Sequence, residues 1–401
     1  MSRPACLFAA LVLAGSAHVA VAQGVEVTPL AAPDAFSTPG RNTGLATTLW
    51  TGASGRTART VLPLLAARPL SPAAAALARR ILATGAPGPQ DAGRDPALAA
   101  ARANALMFQG DPRAAAAVLA HAPGLDRSSD LARAASEGAL LSGDDQRACQ
   151  LAGGLSIGRD EVYWLKLRTY CQAISGQAAQ AQLTFDLVQA QVKDPTFTRL
   201  MAAKLAGVGD PGPASLRNGL DYALSRNLGL DLTAAKPSPA VAAALSAADP
   251  KPPVFDAAAA PADVARLAEA LARNQPVRDV VIQALIDLAG SVDPKARAHG
   301  QAAALLALAL SGPLTPELRG QAAAFSVPEG RAPVGRNLAL ESAADQRLTG
   351  EAAQLSLWTC AEAGPAGPAL ADRVRIVRAL HGVGLEAEAR AFALEGLLAL
   401  K

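Results

Sequence analysis

Gly110, Gly143 and Gly176 stand 33 residues apart, and each marks the same local event. Each is followed by a polar residue (Asp111, Asp144, Gln177) and has alanine five positions on (Ala115, Ala148, Ala181). A glycine takes the left-handed backbone conformation that ends a helix, and a small residue one turn into the next helix lets the two approach closely. A period in the thirties with two helices per unit is the mark of an α-solenoid. The spacing therefore predicts an all-α fold of antiparallel helix pairs.

Composition agrees. Hydrophobic residues make up 51% of the chain and aromatics only 3%, so alanine and leucine carry the apolar share. Alanine has the highest helix propensity and loses no side-chain entropy on folding. Alternating runs of valine, isoleucine and tyrosine, which would signal strands, are nearly absent. Alanine buries little area, so its core needs close helices, with leucine supplying most of the burial.

The first residues read as an export address. Arg3 gives a positive start, Ala5 to Gly15 is apolar, and Ala20-Val21-Ala22 sets small residues for cleavage before Gln23. This predicts a signal peptide over 1–22 and a periplasmic protein, with secretion as the alternative. Leu13-Ala14-Gly15 starts like a lipoprotein box, but Ser16 stands where lipidation requires cysteine. Later apolar runs such as Ala302 to Leu310 are too short to span a bilayer, so a soluble mature chain is expected. The excess of arginine over lysine, with abundant alanine, glycine and proline, has the look of a GC-rich bacterial genome.

Residues 23–42, with Pro29, Pro33, Pro39 and Gly40, read as a flexible leader. From 43 to 233 short helices follow one another. Ser71-Pro72, Asp95-Pro96 and Asp194-Pro195 each place a capping residue before a proline at the first helical position. Leu220 to Leu228 reads as a short helix ended by Gly229. Residues 234–262 are proline-rich (Pro237, Pro239, Pro250, Pro252, Pro253, Pro261) and read as a linker. A second helical block is predicted over 263–401. There Val264, Ala265, Leu267, Ala268 and Leu271, then Val280, Val281, Ala284, Leu285 and Leu288, show one-sided amphipathic spacing. The two blocks are expected either as separate segments or as one superhelix.

These features resemble the tetratricopeptide-repeat family, whose unit is two antiparallel helices of about 34 residues. Asp160 to Pro195 matches best: Gly176 at the inter-helix turn, Ala181 at the small position, Phe185 at the aromatic one and Pro195 at the close. Trp164 and Tyr170 lie near the family's first-helix aromatic positions without falling on them, and the two earlier repeats lack aromatics. An echo near the C-terminus has Gly350 and Gly384 as turn glycines 34 apart, with Ala389 five past the second. The resemblance implies a partner-binding scaffold.

No catalytic residue is legible. Gly154-Leu155-Ser156-Ile157-Gly158 matches the nucleophile-elbow string, but that chemistry needs a strand before the serine, and a helix precedes it here. His121, His299 and His381 have no histidine or cysteine at metal-ligand spacing. There is no phosphate-cradling glycine loop, and Asp144-Asp145 sit in a first helical turn where the dipole favours them. No cofactor or metal is expected. The formal charge is +3, and no basic block suggests nucleic acid. Arg373, Arg375 and Arg378 form the densest basic cluster, read as a solvated helix face before an anion-binding one.

Cys6 leaves with the signal peptide, which leaves Cys149, Cys171 and Cys360. In the repeat frame Cys149 lies six residues after Gly143 and Cys171 five before Gly176, on neighbouring helices at nearly equal height. Either a Cys149–Cys171 disulfide or two buried thiols satisfies this placement. Cys360 reads as a small buried hydrophobe. Tyr163, Trp164, Tyr170 and Phe185 cluster around one repeat in a chain poor in aromatics. Either they pack a better core, or Tyr163, Trp164 and Tyr170 anchor a partner on the concave surface.

The expected function is a non-enzymatic periplasmic scaffold or adaptor for a protein or envelope component. The alternatives are an accessory or regulatory protein of peptidoglycan enzymes, or a structural envelope protein.

Overall fold

Helix signals in the sequence become helices with working caps. The computed structural model describes residues 34–245 and 261–400, so the signal segment and residues 23–33 lie outside it. The helices are α1 (Gly55–Leu65), α2 (Pro72–Ala83), α3 (Pro96–Phe108), α4 (Pro112–Val118), α5 (Ser129–Leu141), α6 (Asp145–Gly154) and α7 (Val162–Ile174). Next come α8 (Ala178–Gln191), α9 (Pro195–Ala206), α10 (Gly219–Asn227), α11 (Pro239–Leu245), α12 (Ala262–Ala272) and α13 (Asp279–Ala289). The last are α14 (Pro294–Ala309), α15 (Pro316–Ala323), α16 (Val334–Asp345), α17 (Thr349–Ala363), α18 (Leu370–Gly382) and α19 (Glu386–Leu398). The described residues contain no strand, and the fold is all-α. No described helix is long and apolar enough to cross a membrane.

Asp95, Asp111, Asp144 and Asp194 each accept a hydrogen bond from the backbone N–H three residues on, satisfying a donor the helix leaves orphaned. Ser71 stands at the cap of α2 as expected, but its buried hydroxyl makes no capping bond.

The inter-helix turns share one geometry. Gly110, Gly143, Gly176 and Gly384 have φ of +89, +85, +75 and +82°. The next residue returns its N–H to the carbonyl five positions earlier: Asp111 to Leu106 (2.8 Å), Asp144 to Ala139 (2.8 Å), Gln177 to Gln172 (2.9 Å) and Leu385 to Leu380 (2.8 Å). This is the six-to-one closure of a helix end. Ala115, Ala148, Ala181 and Ala389, five past each glycine, are fully buried.

Gly350 does not belong to this set. It is the second residue of α17, and a Cβ there would sit 2.5 Å from the Leu49 carbonyl and 2.6 Å from the Trp50 ring. The turn is made instead by Arg347, at φ +55°, with Leu348 donating to the Ala343 carbonyl at 2.9 Å and Ala352 buried five on. Gly350 is needed for a close approach, and the turn three residues earlier uses an arginine.

Helix pairs α3–α4, α5–α6 and α7–α8 pack in succession, and α16–α17 and α18–α19 form further pairs. The C-terminal pairs do not follow on from α9. They pack against the other end, α17 on α1 and α2, and α19 on α2 and α12. The proline-rich segment therefore does not mark a boundary between cores. One core runs from Ala35 through α1–α4, takes in one side of α5, Leu151 of α6 and Val241 of α11, and continues through α12–α14 and α16–α19 to Leu397; a second joins α5–α10.

Two expected loops are partly folded in. Within the proposed leader, Phe36 is fully buried against Trp50, with ring centroids 6.2 Å apart. Buried Arg102 of α3 donates to the carbonyls of Phe36 (3.1 Å), Leu82 (2.8 Å) and Thr84 (2.9 Å), and burial lowers its pKa to about 9. Within the proposed linker, α11 packs on α3 and α5 and buries Val241. One aromatic or one branched side chain with a place in the core holds such a segment despite its prolines.

Candidate interaction surface

The region around α5–α10 holds most residues singled out in the sequence. The Cys149 and Cys171 sulfurs lie 1.97 Å apart with Cα atoms at 5.5 Å, a disulfide joining α6 to α7. Cys360 is buried, and burial pushes its thiol well up, away from the reactive thiolate.

The three aromatics do not form a surface. Trp164 and Tyr170 are fully buried in the second core. The Trp164 indole N–H donates to Ser129 Oγ at 2.8 Å, and the Tyr170 hydroxyl donates to Asp145 Oδ2 at 2.8 Å. Their polar ends are thus bonded within the fold, as buried aromatics require. Tyr163 is half-buried beneath the Arg133 guanidinium, 4.6 Å from the ring centroid.

The reason lies in α10. After α9 the chain turns through Gly207, Gly209 and Gly212, all at positive φ, and returns so that α10 packs on α5 and α9. Leu220, Ala223 and Leu224 join the second core. Glu137 of α5 accepts the Gly219 N–H at the start of α10 at 2.7 Å. Burial raises the Glu137 pKa, with the Gly219 bond opposing, and burial likewise raises that of neighbouring Tyr163. Arg226 reaches Asp145 at 2.6 Å and Arg217 reaches Asp194 at 3.0 Å. Burial pushes Asp194 up, but bonds from Lys166, the Phe197 N–H and Arg217 outweigh it and hold the carboxyl at about 2. Asp145 is therefore more than a dipole-favoured first-turn residue; it ties α6 to α7 and α10.

Other sequence candidates are equally engaged. Arg373 is 2% exposed and pairs with Glu395 at 2.7 Å, Arg375 lies 3.7 Å from Asp372, and Arg378 donates to the Ser311 carbonyl at 2.6 Å. The cluster is neither a solvated face throughout nor a free anion site. Ser156 follows α6 and donates to the Asp126 carbonyl at 2.6 Å. His121 is exposed, and His381 Nδ1 lies 3.4 Å from Glu386 Oε1. Among the described residues, no group of His, Cys, Asp and Glu is placed to hold a metal.

Uncovered apolar side chains at helical spacing lie elsewhere, Leu183 and Leu187 on α8 and Val334 and Leu338 on α16, and only on α8 do they oppose a stripe that includes a buried aromatic. Ala181, Phe185 and Val188 are that buried stripe, yet Leu183 is 67% and Leu187 51% exposed. Ala179 and Ala190 are exposed on the same side. The signal was present in the sequence: apolar residues at helical spacing on two opposite sides of one helix. The repeat resemblance picks out Ala181 and Phe185 on the buried side and carries no information about the opposite one. Comparison with family models, with curated proteins and with solved structures finds no match.

Proposed function

We propose that this chain is a non-enzymatic adaptor of the cell envelope: an exported, tetratricopeptide-like solenoid that binds a protein on the outer side of α8. The observation that carries this reading is the exposure of Leu183 and Leu187 on a helix whose inner stripe already fills the core. Contiguous exposed apolar surface rimmed by polar residues is the usual mark of an interaction site. Export is supported by the ordered sequence of Arg3, the apolar run and Ala20-Val21-Ala22, and by the Cys149–Cys171 bridge, which suits an oxidising compartment.

The test is site-specific photo-crosslinking in producing cells, with the reactive residue at 183 or 187 and a control at exposed Gln321 of α15. A discrete protein adduct from α8 and none from the control is the expected result. Adducts to murein alone turn the reading toward a peptidoglycan-enzyme accessory. No adduct from α8 overturns it.

A further inference from the structure

We propose that the protein bound on α8 is a second copy of this chain, the two α8 helices packing antiparallel about a two-fold axis. This rests on the reading of α8 as the interaction surface and names its partner.

The argument begins with helical geometry. At 100° per residue, Ala179, Leu183, Leu187 and Ala190 share an arc opposite Ala181, Phe185 and Val188. The first set is exposed and the second buried, so α8 presents a ridge directly outward from the core. Spacings of four, four and three residues are those of a ridge that packs against another helix.

The ridge also reads nearly the same in both directions. Large residues stand two before and two after Phe185, and small ones stand six before and five after it. An antiparallel copy therefore sets Leu183 of one chain beside Leu187 of the other, with alanines letting the helix ends draw close. A parallel copy in register sets Leu183 beside Leu183 and Leu187 beside Leu187, but it also aligns two helix dipoles, which the antiparallel arrangement opposes.

Charge decides for self-association. A symmetric interface sets a patch against itself, so like charges within it repel. Among the 14 residues of α8, Asp186 alone is charged. Its carboxylate accepts a bond from Gln182 Nε2 at 2.9 Å on the same helix. Exposed Gln180 and Gln191 flank the ridge and donate or accept equally well against their own copies. A strongly charged partner would find Asp186 as its single counter-charge here, whereas an identical, nearly neutral surface meets little repulsion. One helix against its twin lies at the small end of interfaces, below about 1,200 Å² in all. A contact of that size makes a weak, concentration-dependent dimer.

The experiment is sedimentation equilibrium on protein purified from the periplasm, over a series spanning the micromolar range. Wild type is expected to pass from monomer to dimer, and Leu183→Glu and Leu187→Lys each to stay monomeric with unchanged helical circular dichroism and melting temperature. An equimolar mixture of the two variants is expected to regain the dimer, because antiparallel packing sets the new glutamate beside the new lysine. Wild type that dimerises while the mixture does not overturns the antiparallel arrangement. Wild type that stays monomeric while residue 183 crosslinks to a different protein overturns the second copy and leaves the adaptor reading standing. A monomer with no crosslink removes both.

Discussion

At one side of the stack of helix pairs, α1 and α2 are covered by α17 and α19; at the other, α8 keeps its outer stripe in water. The covered side is joined by carboxylates. Glu351 of α17 accepts the Ser54 N–H and the Thr57 hydroxyl at 2.8 Å each, Glu395 of α19 accepts the Ala73 N–H at 2.9 Å, and Glu388 pairs with Arg80. Two of these reach backbone donors at the first turns of α1 and α2, where helices have orphaned N–H groups and a positive dipole end. The α8 side has one carboxylate and an apolar ridge. Charged capping fits a junction formed once, within a chain. A neutral ridge fits a junction that has to form between equals.

The largest expected effect tests the covered side. Glu395 holds both Arg373, which is 2% exposed, and the start of α2. Glu395→Ala leaves a buried guanidinium with the Phe392 carbonyl as its hydrogen-bond partner and should cost about 3–5 kcal/mol in chemical denaturation. A cost below about 1 kcal/mol would mean solvent reaches Arg373, and the contrast between the two sides would fail.

Next comes the disulfide, which closes 22 residues of sequence separation between α6 and α7 beside the open side. Cys149→Ser with Cys171→Ser should lower stability by about 3 kcal/mol, from the loop entropy returned to the unfolded chain. Amide exchange should rise in α6–α8 and stay unchanged in α17 and α19. Equal loosening throughout would show that the α7–α8 edge does not open independently of the covered side.

Two glycines refine the comparison at smaller scale. Gly350→Ala on the covered side forces a methyl into the Leu49 carbonyl and the Trp50 ring, and should cost about 1–3 kcal/mol. Gly176→Ala meets nothing within 4 Å and is strained only by φ of +75°, so about 1 kcal/mol is expected. Reversal of that order, read from denaturant midpoints, would place the tighter constraint on the open side.

This pair also shows what the sequence held and what it did not. Gly110, Gly143, Gly176 and Gly384 were legible because local backbone geometry alone determines their use. Gly350 matched the period while serving a contact with Trp50, 300 positions away, that no spacing encodes. Arg347 was invisible as a turn because a non-glycine residue there carries no compositional mark. Val241 looked like linker among prolines, since its place beneath α3 and α5 depends on the chain doubling back. The same return by α10 turned Tyr170 from a surface candidate into a core residue tied to Asp145. The outer ridge of α8 was written in the sequence, but alternating stripes on one helix also describe a buried helix, and only the fold distinguishes them.

The smallest effect carries the sharpest comparison of the two sides. If the α16–α17 turn is the same object as the α7–α8 turn, then Arg347 bears a left-handed strain that glycine would remove. That strain is worth about 1 kcal/mol, from crowding between Cβ and the carbonyl oxygen. Glycine also returns conformational freedom to the unfolded chain, which offsets about half of the gain. Arg347→Gly should therefore raise stability by a few tenths of a kcal/mol, and leave the Leu348–Ala343 bond protected from exchange. A destabilised variant would mean that the arginine side chain supports the covered side directly. The two turns would then share a hydrogen bond and a buried alanine without sharing a cause.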